Sequence, residues 1–345
     1  MGSAQPREVR ASIPARAESC IIRDVAELQT RADRRRFLAL RSATLARVPG
    51  FRAGPRAEAQ LASLWTRAEA LGVHHLHRAD AQVMAFRDPE TWFGGPATLC
   101  FVDRDPRSTV ALAAVAAALR ALREVLDETT WLEVDAMDLA LVHVVLDAGF
   151  AIDSVQQVGD PRVGLARLIA AYDPPPSELV PATRDDVDGV ITLHHEVFTQ
   201  EPERCFFGAY PEHLLRMRKD LQATLRAARH DGVLPLHWVL RRRSKVVVHV
   251  EAEVHDHPWW GKHAGLALVL DPSVRGQGLV KSAYRQALTA AVARGAELIK
   301  GGTSQPAVMG LGRVMARPWY AFGMRRHAQL PPEHFLAFHP SRAPR

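Results

Sequence analysis

Residues 268 to 288 read LVLDPSVRGQGLVKSAYRQAL: an apolar run stops at Asp271-Pro272, Arg275, Gly276 and Gly278 come next, and a helix pattern begins. A helix start leaves backbone N–H groups without partners and carries a partial positive charge. A preceding loop without Cβ atoms lets a phosphate approach those groups directly, and an arginine adds a guanidinium matched to phosphate oxygens. The stretch therefore reads as a pyrophosphate cradle, although glycines also serve such turns simply by turning. No Gly-Lys-Ser/Thr follows, so it is not a P-loop, and the third glycine of a dinucleotide-binding loop is missing.

A second stretch, VVVHVEAEV (residues 246–254), could move protons. At strand period, Val246, Val248, Val250, Ala252 and Val254 share one face, and His249, Glu251 and Glu253 share the other. Such a face is also what a solvated strand shows. The histidines of HDHPWWGKH, His255, His257 and His263, titrate in a range suited to the same work. His255 and His257 form a His-x-His pair, but no further ligand follows at metal-site spacing, so no metal is expected. Trp259-Trp260 suits an acceptor pocket or a packing lid. The clusters His74, His75, His77 and His194, His195 read as surface or packing residues.

These segments need elements to hold them. In the second part of the chain ELVPAT reads as a strand, and Asp185 or Asp186 caps a helix with apolar Val187, Val190, Ile191 and Leu193. Then come a helix over 211–228, a strand–turn–strand from His237, the apolar strand HAGLALVL, the glycine loop, a helix over 282–293, the strand AELIKGG and a helix opened by Pro306. The first part repeats this order faintly. Helices near 25–46 and 55–71 precede the strands VHHLHR, AQVMAFR and ATLCFV, a helix over 110–125, the strand WLEVDA and a helix ending in DAGFAI. Between the two parts Pro174, Pro175 and Pro176 cannot continue a helix, which predicts domains at 1–171 and 179–345 joined by a linker at 172–178. The predicted class is α/β (α+β), with a central mixed sheet flanked by helices in each part.

The stretch LALVLDPSVRGQGLVKSAYRQAL, with the opening LVPATRDDVDGVITL and the late WYAFGM, resembles the GNAT acetyltransferase superfamily over roughly residues 178–330. The resemblance implies two such domains in tandem, the first a degenerate copy because FVDRDPRSTVALAAV holds no glycine. It implies acetyl-CoA, or another acyl-CoA, as cosubstrate and a small-molecule amine as acceptor. Leu268, Val269 and Leu270 would bond the pantetheine arm, and Val274, Arg275, Gly276, Gln277, Gly278 and Leu279 would form the phosphate site. The family often draws its base from the strand before, which points to Glu251 first and Glu253 second. Its acid is a tyrosine four residues before a glycine. Gly323 puts Trp319 there and Tyr320 next, so Tyr320 is the candidate, with departure unassisted or through water as the alternative.

Two other readings stay open. Tandem chains of this kind include aminoacyl-tRNA-dependent transferases, which the net charge of +6 would suit. A non-catalytic CoA-binding module is the other. No apolar run approaches the roughly 20 residues of a membrane span, and Cys20, Cys100 and Cys205 suggest no disulfide framework. A cytoplasmic protein that is a monomer or weak dimer, without membrane partners, is expected.

Overall fold

Alternating apolar and polar residues build the strands and 3.6-period stripes build the helices, much as the sequence predicts. The computed structural model describes residues 15–48, 50–78, 80–91, 95–127, 129–199, 211–227, 237–303 and 321–325. The first part runs α1 (Ala15–Ala46), α2 (Pro55–Ala70), β1 (His74–Arg78), β2 (Ala81–Asp88), β3 (Ala97–Arg104), α3 (Ala111–Ala121), β4 (Thr130–Asp135), α4 (Leu139–Asp147), β5 (Ala151–Gly159) and α5 (Pro161–Tyr172). The second runs β6 (Val180–Pro181), α6 (Val187–Thr199), α7 (Pro211–Ala227), β7 (His237–Arg242), β8 (Lys245–His257), β9 (Gly261–Leu270), α8 (Leu279–Ala293), β10 (Leu298–Thr303) and β11 (Ala321–Arg325). Residues 173–179 belong to no helix or strand. The expected helix at Pro306 lies outside the described residues.

The α/β class holds, and each part contributes a mixed set of strands flanked by helices. The two sets join edge to edge in the order β1-β2-β3-β4-β11-β5-β10-β9-β8-β7-β6. They also trade strands. β5, from the first part, pairs antiparallel with β10, and β11, from the second, pairs antiparallel with both β4 and β5. The sequence pattern predicts the DAGFAI helix through Ile152. The helix instead stops at Asp147, and Ala151 opens β5, the strand on which the exchange depends.

Helix pairs α1–α2 and α6–α7 pack on one face of the sheet. The first pair covers Met84, Phe86, Leu99, Phe101 and Trp131, and the second covers Val239, Val246 and Val269. Helices α3, α4, α5 and α8 lie on the other face. Three local expectations are corrected. Asp185 and Asp186 do not themselves cap α6: Thr183 is the N-cap of the turn before it, and its N–H and hydroxyl donate to Asp186 at 2.7 and 2.8 Å. Helix α8 starts at Leu279, three residues before the expected Ser282. Val246 does not share the face of Val248. A register shift opposite Leu240/Arg241 adds one residue to β8, and Val246 turns to the α6–α7 side.

Candidate active site

The parallel pair β9–β10 is registered from His263↔Leu298 to Leu266↔Gly301 and no further. Strand β9 continues to Leu270 with only β8 beside it, while β10 continues against β5. The two strands part, and the edge of residues 267–270 is left open. The consequence shows in burial: Leu266, Ala267 and Leu268 are only half-buried although they lie on a central strand.

At the end of this open edge lies the glycine loop. Asp271 accepts from the Ser273 N–H at 2.9 Å and hydroxyl at 2.6 Å, and Lys245 reaches Asp271 at 2.9 Å and Glu196 at 2.8 Å. The bonds from Ser273 and Lys245 hold the Asp271 carboxyl down at about 2. Val274 is buried and anchors the turn, while residues 275–278 are exposed. Gly276 and Gly278 both have φ +77°, a left-handed conformation that L side chains rarely adopt, and a Cβ at either would meet nothing within 4 Å. No backbone acceptor among the described residues takes the N–H of Gly276, Gln277 or Gly278. An exposed row of donors at the N-terminus of a 15-residue helix fits an anionic phosphate group.

Glu251 stands at the parting of the strands. Its register partner on β9 is Ala267, the first residue beyond the last β9–β10 pair. The expected face of His249, Glu251 and Glu253 forms, and it meets His237 from β7, the register partner of Glu251. Glu253 is committed: His237 Nε2 lies at 3.1 Å, His255 Nε2 at 3.2 Å and the Thr224 hydroxyl at 3.3 Å. The bonds from His237 and His255 hold its carboxyl well below the usual carboxylate range. Glu251 has no hydrogen-bond partner among the described residues, and burial raises its carboxyl above the ordinary value. Of the two carboxylates, Glu251 is the better placed to accept a proton.

Behind them runs a buried line of imidazoles. His194 Nε2 lies 3.0 Å from His249 Nδ1, and His249 Nε2 lies 3.1 Å from His237 Nδ1. His194, His249 and His237 are 6%, 0% and 3% exposed, and burial pushes His194 down to about 3. The packing expectation for His194 is too modest, because the residue is hydrogen-bonded into the site; His195 is exposed. Sequence reasoning misses His237. Its one signal is the first position of β7, directly opposite Glu251. Trp259 and Trp260 turn away from this cluster and line a cavity of about 120 Å³ with Lys300, Glu133 and helix α1. Tyr320 lies outside the described residues.

The corresponding edge of the first part is closed. Strands β3 and β4 also part, after Phe101↔Glu133. The residues beyond the parting include Asp103 and Arg104, 0% and 6% exposed. Arg41 bonds Asp103 at 3.2 Å, and Arg104 reaches Asp138 at 2.7 Å. No glycine comes after them in the loop to α3.

Residues 195–308 match the family model of the acetyltransferase (GNAT) family. No curated protein matches the chain. Among solved structures, a GNAT-family acetyltransferase from Colwellia psychrerythraea is 11% identical, covers 77% of this chain and 96% of its own, and has a TM-score of 0.42. A GCN5-related N-acetyltransferase from Kribbella flavida is 16% identical over 77% of this chain and 94% of its own, with a TM-score of 0.40. The C-terminal domain of a putative lysylphosphatidylglycerol synthetase from Agrobacterium fabrum covers 90% of this chain and 96% of its own at 10% identity and a TM-score of 0.33. No helix among the described residues is long and apolar enough to cross a membrane. The match to the acetyltransferase (GNAT) family model thus falls on the segment that holds the parted strands, the glycine loop and helix α8.

Proposed function

We propose that the protein is an N-acyltransferase that moves an acetyl or other acyl group from acyl-CoA to the amine of a small molecule. The observation that carries this is the continuity of the open β9 edge with the glycine loop. A thioester lying along the edge of Leu268, Val269 and Leu270 would place its phosphates on the N–H groups of 276–278, with Arg275 beside them. Its carbonyl would lie near Ala267, across from Glu251. The acceptor nitrogen attacks the thioester carbonyl, a C–N bond forms as the C–S bond breaks, and Glu251 takes the amine proton. Open-edge N–H groups are suited to the tetrahedral oxyanion. Glu253 positions the histidines beside it. We assign the thiolate's proton to Tyr320 or to water.

In the same reading the chain divides into 1–171 and 179–345 around the linker 172–178, and it acts as a monomer or weak dimer. The first part is a copy whose cleft has been filled: buried ion pairs stand where the second part is open. Its role is to complete the sheet and wall the acceptor side.

The test is incubation with acetyl-CoA and a panel of primary amines, reading free thiol and acylated product by mass. Product from the wild type, reduced about 100-fold or more in Glu251→Gln, is expected. Product from charged tRNA, with none from any acyl-CoA, would overturn the proposal.

A further inference from the structure

Glu251 lies among the imidazoles of His237 and His249. Three side-chain donors from adjacent strands converge there: His237 Nδ1, His249 Nε2 and Glu251 Oε2. His237 Nδ1 lies 3.1 Å from His249 Nε2 and 3.9 Å from Glu251 Oε2, and the three residues can each offer one ligand atom within 4.8 Å of the others. Ligands held at about 2.0–2.1 Å around a tetrahedral ion stand about 3.3 Å apart, between the two short separations seen here.

We propose that His237, His249 and Glu251 bind a divalent transition-metal ion, with zinc the best match to two imidazoles and one carboxylate. Two further features support the assignment. Each imidazole is fixed through its other nitrogen: His237 Nε2 donates to Glu253, and His249 Nδ1 faces His194 Nε2. A carboxylate behind a ligating histidine fixes its tautomer and orients the ring. Charge also balances, because Glu251 and Glu253 together offset a divalent ion. Without one, Glu251 is a half-buried carboxylate with no hydrogen-bond partner among the described residues.

Binding needs a specific proton rearrangement. With Glu253 ionised, His237 carries its proton on Nε2 and turns a lone pair toward His249. In the metal-free state His249 Nε2–H donates into that lone pair. When the ion binds, the His249 proton moves to Nδ1 and donates to His194 Nε2, whose own proton moves to its Nδ1. Both histidines stay neutral and the His237–Glu253 bond is unchanged. The inference does not rest on the acyl-transfer reading. Glu251 serves one partner at a time, so a loaded ion would withdraw the base proposed above.

The experiment uses the full chain, stripped with EDTA, desalted, and titrated with Zn²⁺ against a chromophoric chelator; Co²⁺ replaces Zn²⁺ for visible spectra. The expected result is one tight equivalent of Zn²⁺ and intense Co²⁺ d–d bands of a four- or five-coordinate site. Glu251→Gln leaves the His194–His249–His237–Glu253 line in place, so it should keep its melting temperature while losing affinity at least tenfold. His237→Asn should lose more. A wild type that takes up no Zn²⁺ overturns the proposal, as does binding that both variants retain, since the ion would then sit elsewhere. Neither outcome touches acyl transfer, which is read separately from product mass.

Discussion

Gly276→Trp separates the loop's chemistry from its folding. Because a Cβ at Gly276 meets nothing within 4 Å, the indole should project into the space where a phosphate would sit, and the folding cost is only that of φ +77°. That conformation costs a non-glycine residue about 1–2 kcal/mol. A cooperative chain of this length has an unfolding entropy of about 0.7 kcal/mol/K, from roughly 2.1 cal/mol/K per residue, so the variant should melt about 1.5–3 °C lower. The wild type at acetyl-CoA about 100-fold above its Kd gains about 2.7 kcal/mol, or roughly 4 °C. The assay is differential scanning fluorimetry over a ligand titration, with far-UV circular dichroism to confirm that the variant is folded. A folded variant whose midpoint does not respond to acetyl-CoA, beside a wild type that does, is the expected result. If the variant keeps the wild-type shift, the phosphates do not lie on this loop. If the wild type shows no shift at saturating ligand, the acetyl-CoA reading itself fails.

The sheet and the brace under the loop can each be tested as well. Residues 1–171 and 179–345 expressed separately should each lack a neighbour for an exchanged strand, β5 or β11, and aggregate, while co-expression should yield a soluble 1:1 complex. A folded, monomeric 179–345 fragment would show that the exchange is dispensable. Asp271→Asn removes the brace. The Asp271 carboxyl is depressed to about 2 by Ser273 and Lys245, so its stabilisation is fully present above the unfolded value near 3.9 and is lost as pH falls through the folded value. With Lys245 half-exposed, the wild-type advantage should be about 1–2 kcal/mol at pH 6 and should shrink toward zero near pH 2. An advantage that does not change with pH in denaturant titrations would contradict the assignment.

Much of this architecture is legible in the sequence because its signals are local. The glycine loop, the alternation of β8 and the stripes of α6 and α7 each declare themselves within about a dozen residues. The features that escape are set by long-range pairing. Strand β5 comes closely after a helix end, so its first apolar residues read as a continuation of α4. Only its pairing with β10, more than a hundred residues away, fixes it as a strand. The histidine line escapes for a related reason. His194, His237 and His249 come from three elements, and none has metal-site spacing to another in sequence. The His255-x-His257 pair is the more conspicuous signal, yet its two side chains join the site differently: His255 bonds Glu253, and His257 lines the tryptophan cavity.

Each part holds a parallel strand pair that parts before its strands end, and the two differ in the residues just beyond that point, a contrast that favours the second part in the proposed reading. Both β3 and β9 outrun their parallel partners. After β9 come an apolar strand end and a loop of exposed glycines, so the gap is bounded by backbone donors. At the end of β3 stand Asp103 and Arg104, each locked in a buried ion pair. Breaking such a pair leaves an uncompensated buried charge, at a cost of about 3–5 kcal/mol. A ligand entering the first gap would have to meet that cost before gaining anything, whereas one entering the second displaces only solvent. The asymmetry therefore lies in a few side chains just beyond each parting. Opening the first gap would take replacement of both ion pairs and insertion of glycines after Asp105, not a change of fold.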